Sequence, residues 1–148
     1  VGVTRKTQMP TRWIDQGAEE AIVVVEVPNR YLAGITEVAL KNHFADKTNW
    51  RKMLTNTYDA VDLVQEKAKV QAWLPDVVRE YFSLEKNEII AMHYPVAAYP
   101  AKVNSLNLDK TPFYQGQLIG VKGQYLLFQD GTVFNVRSYE GYVVQIAI

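Results

Sequence analysis

The last third of the chain is the part that most restricts the fold. Over residues 117–122, 125–129, 132–137 and 142–148, four short β-rich runs follow one another with only Gly-containing turns between them. Strands joined that closely have no room for a crossover helix and pair antiparallel. Asp130-Gly131 is the clearest of these turns, because a tight type I′ turn needs positive φ at both central positions. With residues 102–108 as a fifth run, the pattern predicts a small curled sheet or open barrel.

Upstream the pattern changes. Residues 1–5 read as a strand. Pro10 fits the first turn of a short helix, and Gly17 is placed to end it. Residues 21–27 are β-branched and nearly continuous, as expected of a strand buried on both faces. A longer helix starts after Pro28, with Tyr31, Leu32, Ile35, Val38, Ala39 and Asn42 on its core-facing stripe. Residues 47–54 read as another short helix. The middle is helical: Val61, Val64, Ala68 and Ala72 share one face over 58–73, and after Pro75 the residues Val77, Val78, Tyr81 and Phe82 point inward. The fold class is therefore α+β, with an α/β lobe over 1–56, a helical connector over 57–88 and a small antiparallel β-barrel-like lobe over 89–148. A chain of 148 residues suits one domain or two small lobes sharing a core, and buries about 70% of its unfolded surface.

Charge and composition remove whole classes of function. Sixteen basic and sixteen acidic residues leave no net charge, which excludes nucleic-acid binding driven by bulk charge but not by a local patch. Residues 1–56 hold eight basic and six acidic residues, and are the most positive part. There is no cysteine, hence no disulfide, thiolate metal site or thiol nucleophile. His43 and His93 are the only histidines and carry no multi-histidine metal site. No phosphate-binding glycine loop, dinucleotide fingerprint or nucleophile elbow occurs. The longest uninterrupted apolar run, Ala21 to Val25, is far short of a membrane span, and no basic-then-apolar leader is present. The expectation is a cytoplasmic protein with no membrane partner.

In residues 1–54 a strand bearing Val1-Gly2 is followed by Arg12 on a short helix, Glu37 on a longer one and Asn49 shortly after. This order resembles the GIY-YIG nuclease superfamily. The blocks Pro10-Thr11-Arg12-Trp13-Ile14-Asp15-Gln16-Gly17-Ala18 and Asp46-Lys47-Thr48-Asn49-Trp50-Arg51-Lys52-Met53-Leu54 look like signatures of a bacterial protein family of unknown function. So do Gly120-Val121-Lys122-Gly123-Gln124-Tyr125-Leu126-Leu127-Phe128 and Asn135-Val136-Arg137. The chain opens without an initiator Met, and the resemblance implies that a complete member is longer. The extra N-terminal segment would contain cysteine and supply the tyrosine-bearing strand.

The resemblance also implies roles. Arg12, Glu37 and Asn49 would form a catalytic set, with Glu37 holding Mg²⁺ or Mn²⁺ against a scissile phosphate and Arg12 offering a planar donor fork to it. Arg5, Lys6, Arg12, Lys47, Arg51 and Lys52 would converge on DNA or RNA.

Plain readings stand beside these. Glu37 also fits a solvated helix face, with Lys41 at i+4 worth about 0.3–0.5 kcal/mol. Arg12 also fits pairing with Asp15 or stacking on Trp13, and Asn49 a local cap of the Trp50 helix. Trp13 and Trp50 fit a core. Lys122, Tyr125, Arg137, Tyr139 and Tyr142 combine basic and aromatic character, as single-strand-binding barrels do, but a small β core yields the same set. The leading expectation is a nucleic-acid-binding protein with a GIY-YIG-related site. The alternatives are a non-catalytic scaffold or protein-interaction module, and a small-molecule or nucleotide binder between the lobes.

Overall fold

A computed structural model describes residues 1–44 and 47–148 of the chain. Helix α1 spans Thr11–Asp15, with Pro10 at its N-cap. Gly17 turns the chain out of it at φ +69°, a conformation L side chains rarely adopt, and lies so close to Met53 that a Cβ there would displace the methionine side chain. Strand β1 (Glu20–Ile22) pairs antiparallel with β2 (Ile89–Ala91), with Ala21 opposite Ile90.

Two expected strands are corrected here. Residues 1–5 are coil leading into a 3-10 turn, Lys6–Gln8. The β-branched run leaves its two-stranded sheet after Ile22, and only a bridge from Val25 to Phe82 follows. Val24, Val25 and Val27 still bury part of their surface, but against helices rather than between two layers.

Helix α2 (Arg30–Leu40) begins where the Asn29 side chain accepts a hydrogen bond from Leu32 N–H at 3.0 Å. Its buried residues are Thr36 and Leu40, with Leu32 and Ile35 packed nearby. Tyr31 and Val38, expected in the core stripe, are exposed. The helix is rotated because it packs on a 3-10 turn, Asp76–Tyr81. Thr36 tolerates burial because its hydroxyl donates to the Leu32 carbonyl at 2.7 Å.

Helix α3 (Trp50–Leu54) is capped by Asn49. Helix α4 (Leu63–Val70) is shorter than the periodicity predicts, because the Asp62 carboxylate accepts from the N–H groups of Val64 and Gln65 and starts the helix there. It runs into a 3-10 turn, Gln71–Trp73, and the segment after Pro75 is also 3-10, burying Val78 and exposing Val77. Leu40, Val70, Leu74 and Val78 form one hydrophobic cluster.

The second sheet contains β3 (Asn104–Ser105), β4 (Leu118–Lys122), β5 (Tyr125–Phe128) and β6 (Thr132–Asn135) in the order β3-β6-β5-β4. The two hairpins are antiparallel, as the turns predict, but β3 pairs parallel with β6. The sheet is open, with β3 at one edge and β4 at the other, where Val96 bridges to Gly120, and no closed barrel forms among the described residues. A physical reason lies in the last run. A 3-10 turn, Val136–Tyr139, diverts the chain after β6, and residues 142–148 add no strand and leave Val143 and Ile146 exposed. Leu54 packs with Leu127 and Val133 in a second cluster, so α3 sits on this sheet. Among the described residues no helix is long and apolar enough to cross a membrane.

Candidate functional site

The expected cations sit on short, exposed elements. Arg12 is exposed on α1, while Arg51 and Lys52 are exposed on α3 with Lys47 just before it. Arg5 and Lys6 are exposed at the 3-10 turn that precedes α1. Gly17 against Met53 brings the end of α1 onto α3.

Arg51 lies over an aromatic ring: its guanidinium carbon is 4.3 Å from the centre of the Trp50 ring, a cation–π contact. Lys6 pairs with Glu26 at 2.9 Å, and their hydrogen bond, then their Coulomb attraction, raises the Lys6 pKa and lowers that of Glu26. Lys52 reaches Asp59 at 3.6 Å. Both are surface pairs, worth little in water and open to exchange for another anion. Asn49 is the N-cap of α3, its side-chain oxygen accepting from Lys52 N–H at 3.2 Å. That is the local capping role weighed from sequence. Asp46, which opens the second signature block, lies outside the described residues.

Glu37 stands apart in packing terms. It is half-buried on α2, whose core residues belong to the cluster with α4, whereas α3 belongs to the cluster on the second sheet. No described hydrogen bond or ion pair joins it to Arg12 or Asn49. Among the described residues no three of His, Cys, Asp and Glu stand together as a metal site. A divalent ion at Glu37 would take one carboxylate from this set and its other ligands from water and a bound phosphate.

Sequence reasoning missed the burial of Lys122. Only 1% of its side chain is exposed. Its ammonium donates to the Glu19 carboxylate and to the Asn56 side-chain oxygen, the latter at 3.4 Å. The rings of Tyr99 and Tyr94 lie 4.9 and 5.3 Å from that nitrogen. The Tyr94 hydroxyl donates to the Ala18 carbonyl at 2.7 Å. Burial, followed by the charges of Glu19, Tyr99 and Asp15, pushes the Tyr94 phenol up to about 12. A signal for Lys122 does exist in the sequence: strand alternation puts it on the same face as Gly120, which is also buried.

Lys67 is a second buried lysine. Its ammonium donates to the Lys86 carbonyl, and burial, followed by the Lys86 charge, lowers its pKa.

The aromatic residues of the C-terminal sheet are mostly engaged. Tyr125 stacks on Trp50, with ring centres 5.9 Å apart. Tyr139 accepts from Leu108 N–H at 3.1 Å, and the Tyr142 hydroxyl donates to Asp109 at 2.9 Å. Trp50 thus serves both as a packing residue and as the platform beneath Arg51.

No curated protein and no solved structure gives a match to this chain. A family model described as "Protein of unknown function (DUF2797)" matches residues 1–144, and the chain belongs to that family.

Proposed function

We propose that this protein binds nucleic acid through the exposed cations of α1, α3 and the turn before α1: Arg5, Lys6, Arg12, Lys47, Arg51 and Lys52. The observation that carries the reading is Arg51 held over Trp50 on a helix packed against the end of α1. A guanidinium fixed by an aromatic plane presents its donor fork to a phosphate with little further ordering. The neutral net charge agrees with a confined patch rather than a sticky surface.

The finer part of the proposal is a GIY-YIG-related phosphodiesterase site. Arg12 would contact the scissile phosphate, Asn49 would lie beside it, and Glu37 would be the one protein carboxylate for Mg²⁺ or Mn²⁺. When bound, such an ion would act as a Lewis acid on the phosphate.

The test is binding and cleavage of single- and double-stranded DNA and RNA, with and without Mg²⁺ or Mn²⁺, across a salt series. Binding that weakens with salt supports the reading, since each neutralised phosphate adds about 0.9 to the log–log slope on duplex. Cleavage that disappears in both Glu37→Gln and Arg12→Ala, with folding intact, supports the catalytic part. Absence of binding to every probe at low salt overturns the whole reading.

A second reading, a protein-interaction module, is favoured by one observation. The outward side of α2 carries Tyr31, Gly34, Ile35 and Val38 around a shallow hollow of about 400 Å³, with apolar surface facing solvent.

A further inference from the structure

We infer that Lys122 is a positioning residue: its buried ammonium fixes the segment leaving α1 against the segment leaving α3, and so sets the spacing of the cations those helices carry. The consequence for binding rests on the phosphate-contacting role proposed above for these two helices.

The geometry is specific. Glu19 lies four residues beyond the end of α1 and Asn56 two residues beyond the end of α3. Lys122 comes from the end of β4, 103 residues from Glu19 and 66 from Asn56, and its nitrogen bonds to both. The neighbouring residue strengthens the tie. Gly123 comes so close to α1 that a Cβ there would stand 3.1 Å from the Asp15 carbonyl oxygen and 3.2 Å from the Gly17 nitrogen. Tyr94, under the ammonium, holds the same segment through the Ala18 carbonyl.

An ammonium with three donors serves two acceptors on different segments at once, which an apolar side chain of equal size cannot do. α1 and α3 each have only five residues. Helices that short lack independent stability and take their relative placement from tertiary contacts.

The absence of cysteine allows clean labelling of introduced thiols. Thr11→Cys and Thr48→Cys put spin labels at the start of α1 and before α3, at exposed residues outside the proposed binding set. Pulsed dipolar spectroscopy then reads the α1–α3 distance, and the same labelled protein is titrated with a fluorescent single-stranded oligonucleotide over a salt series.

In the Lys122→Met background the distance distribution broadens, affinity falls about tenfold and the salt slope drops by about one. Asn56→Gly cuts only the α3 arm while keeping a residue suited to its φ of +52°, and broadens the distribution in the same direction. Val78→Ala weakens the other hydrophobic cluster, away from α1, α3 and the ammonium, and leaves both distribution and slope as in the parent. This control separates positioning from general loss of stability.

An unchanged distribution in Lys122→Met and Asn56→Gly overturns the inference. A broadened distribution with unchanged affinity and slope overturns the link from spacing to binding. Broadening in a protein that binds no oligonucleotide even in its parent form supports the positioning role and refutes the nucleic-acid reading. If Lys122→Met does not fold, Asn56→Gly alone decides.

Discussion

Arg51 and Trp50 are consecutive in sequence, yet the arginine side chain lies over the indole of its neighbour, 4.3 Å from the ring centre, while Trp50 stacks on Tyr125 from across the sheet. The charge is thus anchored to the core through two aromatic rings. Arg51→Lys keeps the charge but removes the planar group. The expected result is a salt slope unchanged from the parent with affinity lower by a factor of about 3–10, against a slope lower by about 1 for Arg51→Ala. Fluorescence anisotropy over a salt series distinguishes the two.

The Lys122–Glu19 pair is asymmetric in burial, with 1% of the lysine and 30% of the glutamate side chain exposed. Removing the carboxylate strands a cation in the interior. Removing the cation leaves a carboxylate that water already reaches. Glu19→Gln is therefore expected to cost about 3 kcal/mol, and Lys122→Met no more than about 1.5 kcal/mol. Urea unfolding of the two variants gives the order directly, and the reverse order would show that the burial asymmetry does not govern the pair.

Tyr94 gives a dependence on alkaline pH. Its folded-state pKa of about 12 lies above the ordinary tyrosine value near 10. The folded protein therefore keeps a proton that the unfolded chain loses first. The stabilisation is complete below about pH 10 and disappears as pH rises toward about 12. Absorbance at 295 nm should show a tyrosine ionising near pH 12, absent in Tyr94→Phe. A parent protein with every tyrosine ionised by pH 11 would rule this out.

Gly131 closes the β5–β6 hairpin at φ +84°, and a Cβ there would stand 2.7 Å from the Lys102 carbonyl oxygen, a backbone atom. Gly131→Ala is expected to cost about 1–3 kcal/mol. Gly2 has nothing within 4 Å of the position a Cβ would take, so Gly2→Ala should stay within about 0.5 kcal/mol of the parent. Thermal unfolding of the two variants makes the comparison.

The sequence was most informative where local chemistry is sufficient. Asp130-Gly131 marks a hairpin whatever surrounds it, although only Gly131 takes positive φ, so the turn is a three-residue loop and not the type I′ turn expected. Asn49 caps α3 through an atom three residues away. It was least informative where a distant partner decides. Helix α2 has apolar residues on two faces, and only packing against the Asp76–Tyr81 turn selects Leu40 and Thr36 over Tyr31 and Val38. The valines after Ile22 have the composition of a strand but no continuing ladder beside them. Lys122 looks like a surface cation until Glu19 and Asn56 are brought to it from far along the chain.

The parallel pairing of β3 with β6 has a consequence for the order of assembly. Strands β4, β5 and β6 are linked by tight turns and make their ladders from neighbours in sequence. Asn104 meets Thr132 only across 28 positions. Closing such a span costs more chain entropy than closing a tight turn, and two paired residues return little for it. The meander therefore forms first, and β3 docks onto a finished edge. The docked segment is then held by more than its two paired residues, because the Tyr139 hydroxyl donates to the Leu106 carbonyl and accepts from the Leu108 N–H, and the Tyr142 hydroxyl donates to Asp109, so the chain after β6 is what latches β3 in place.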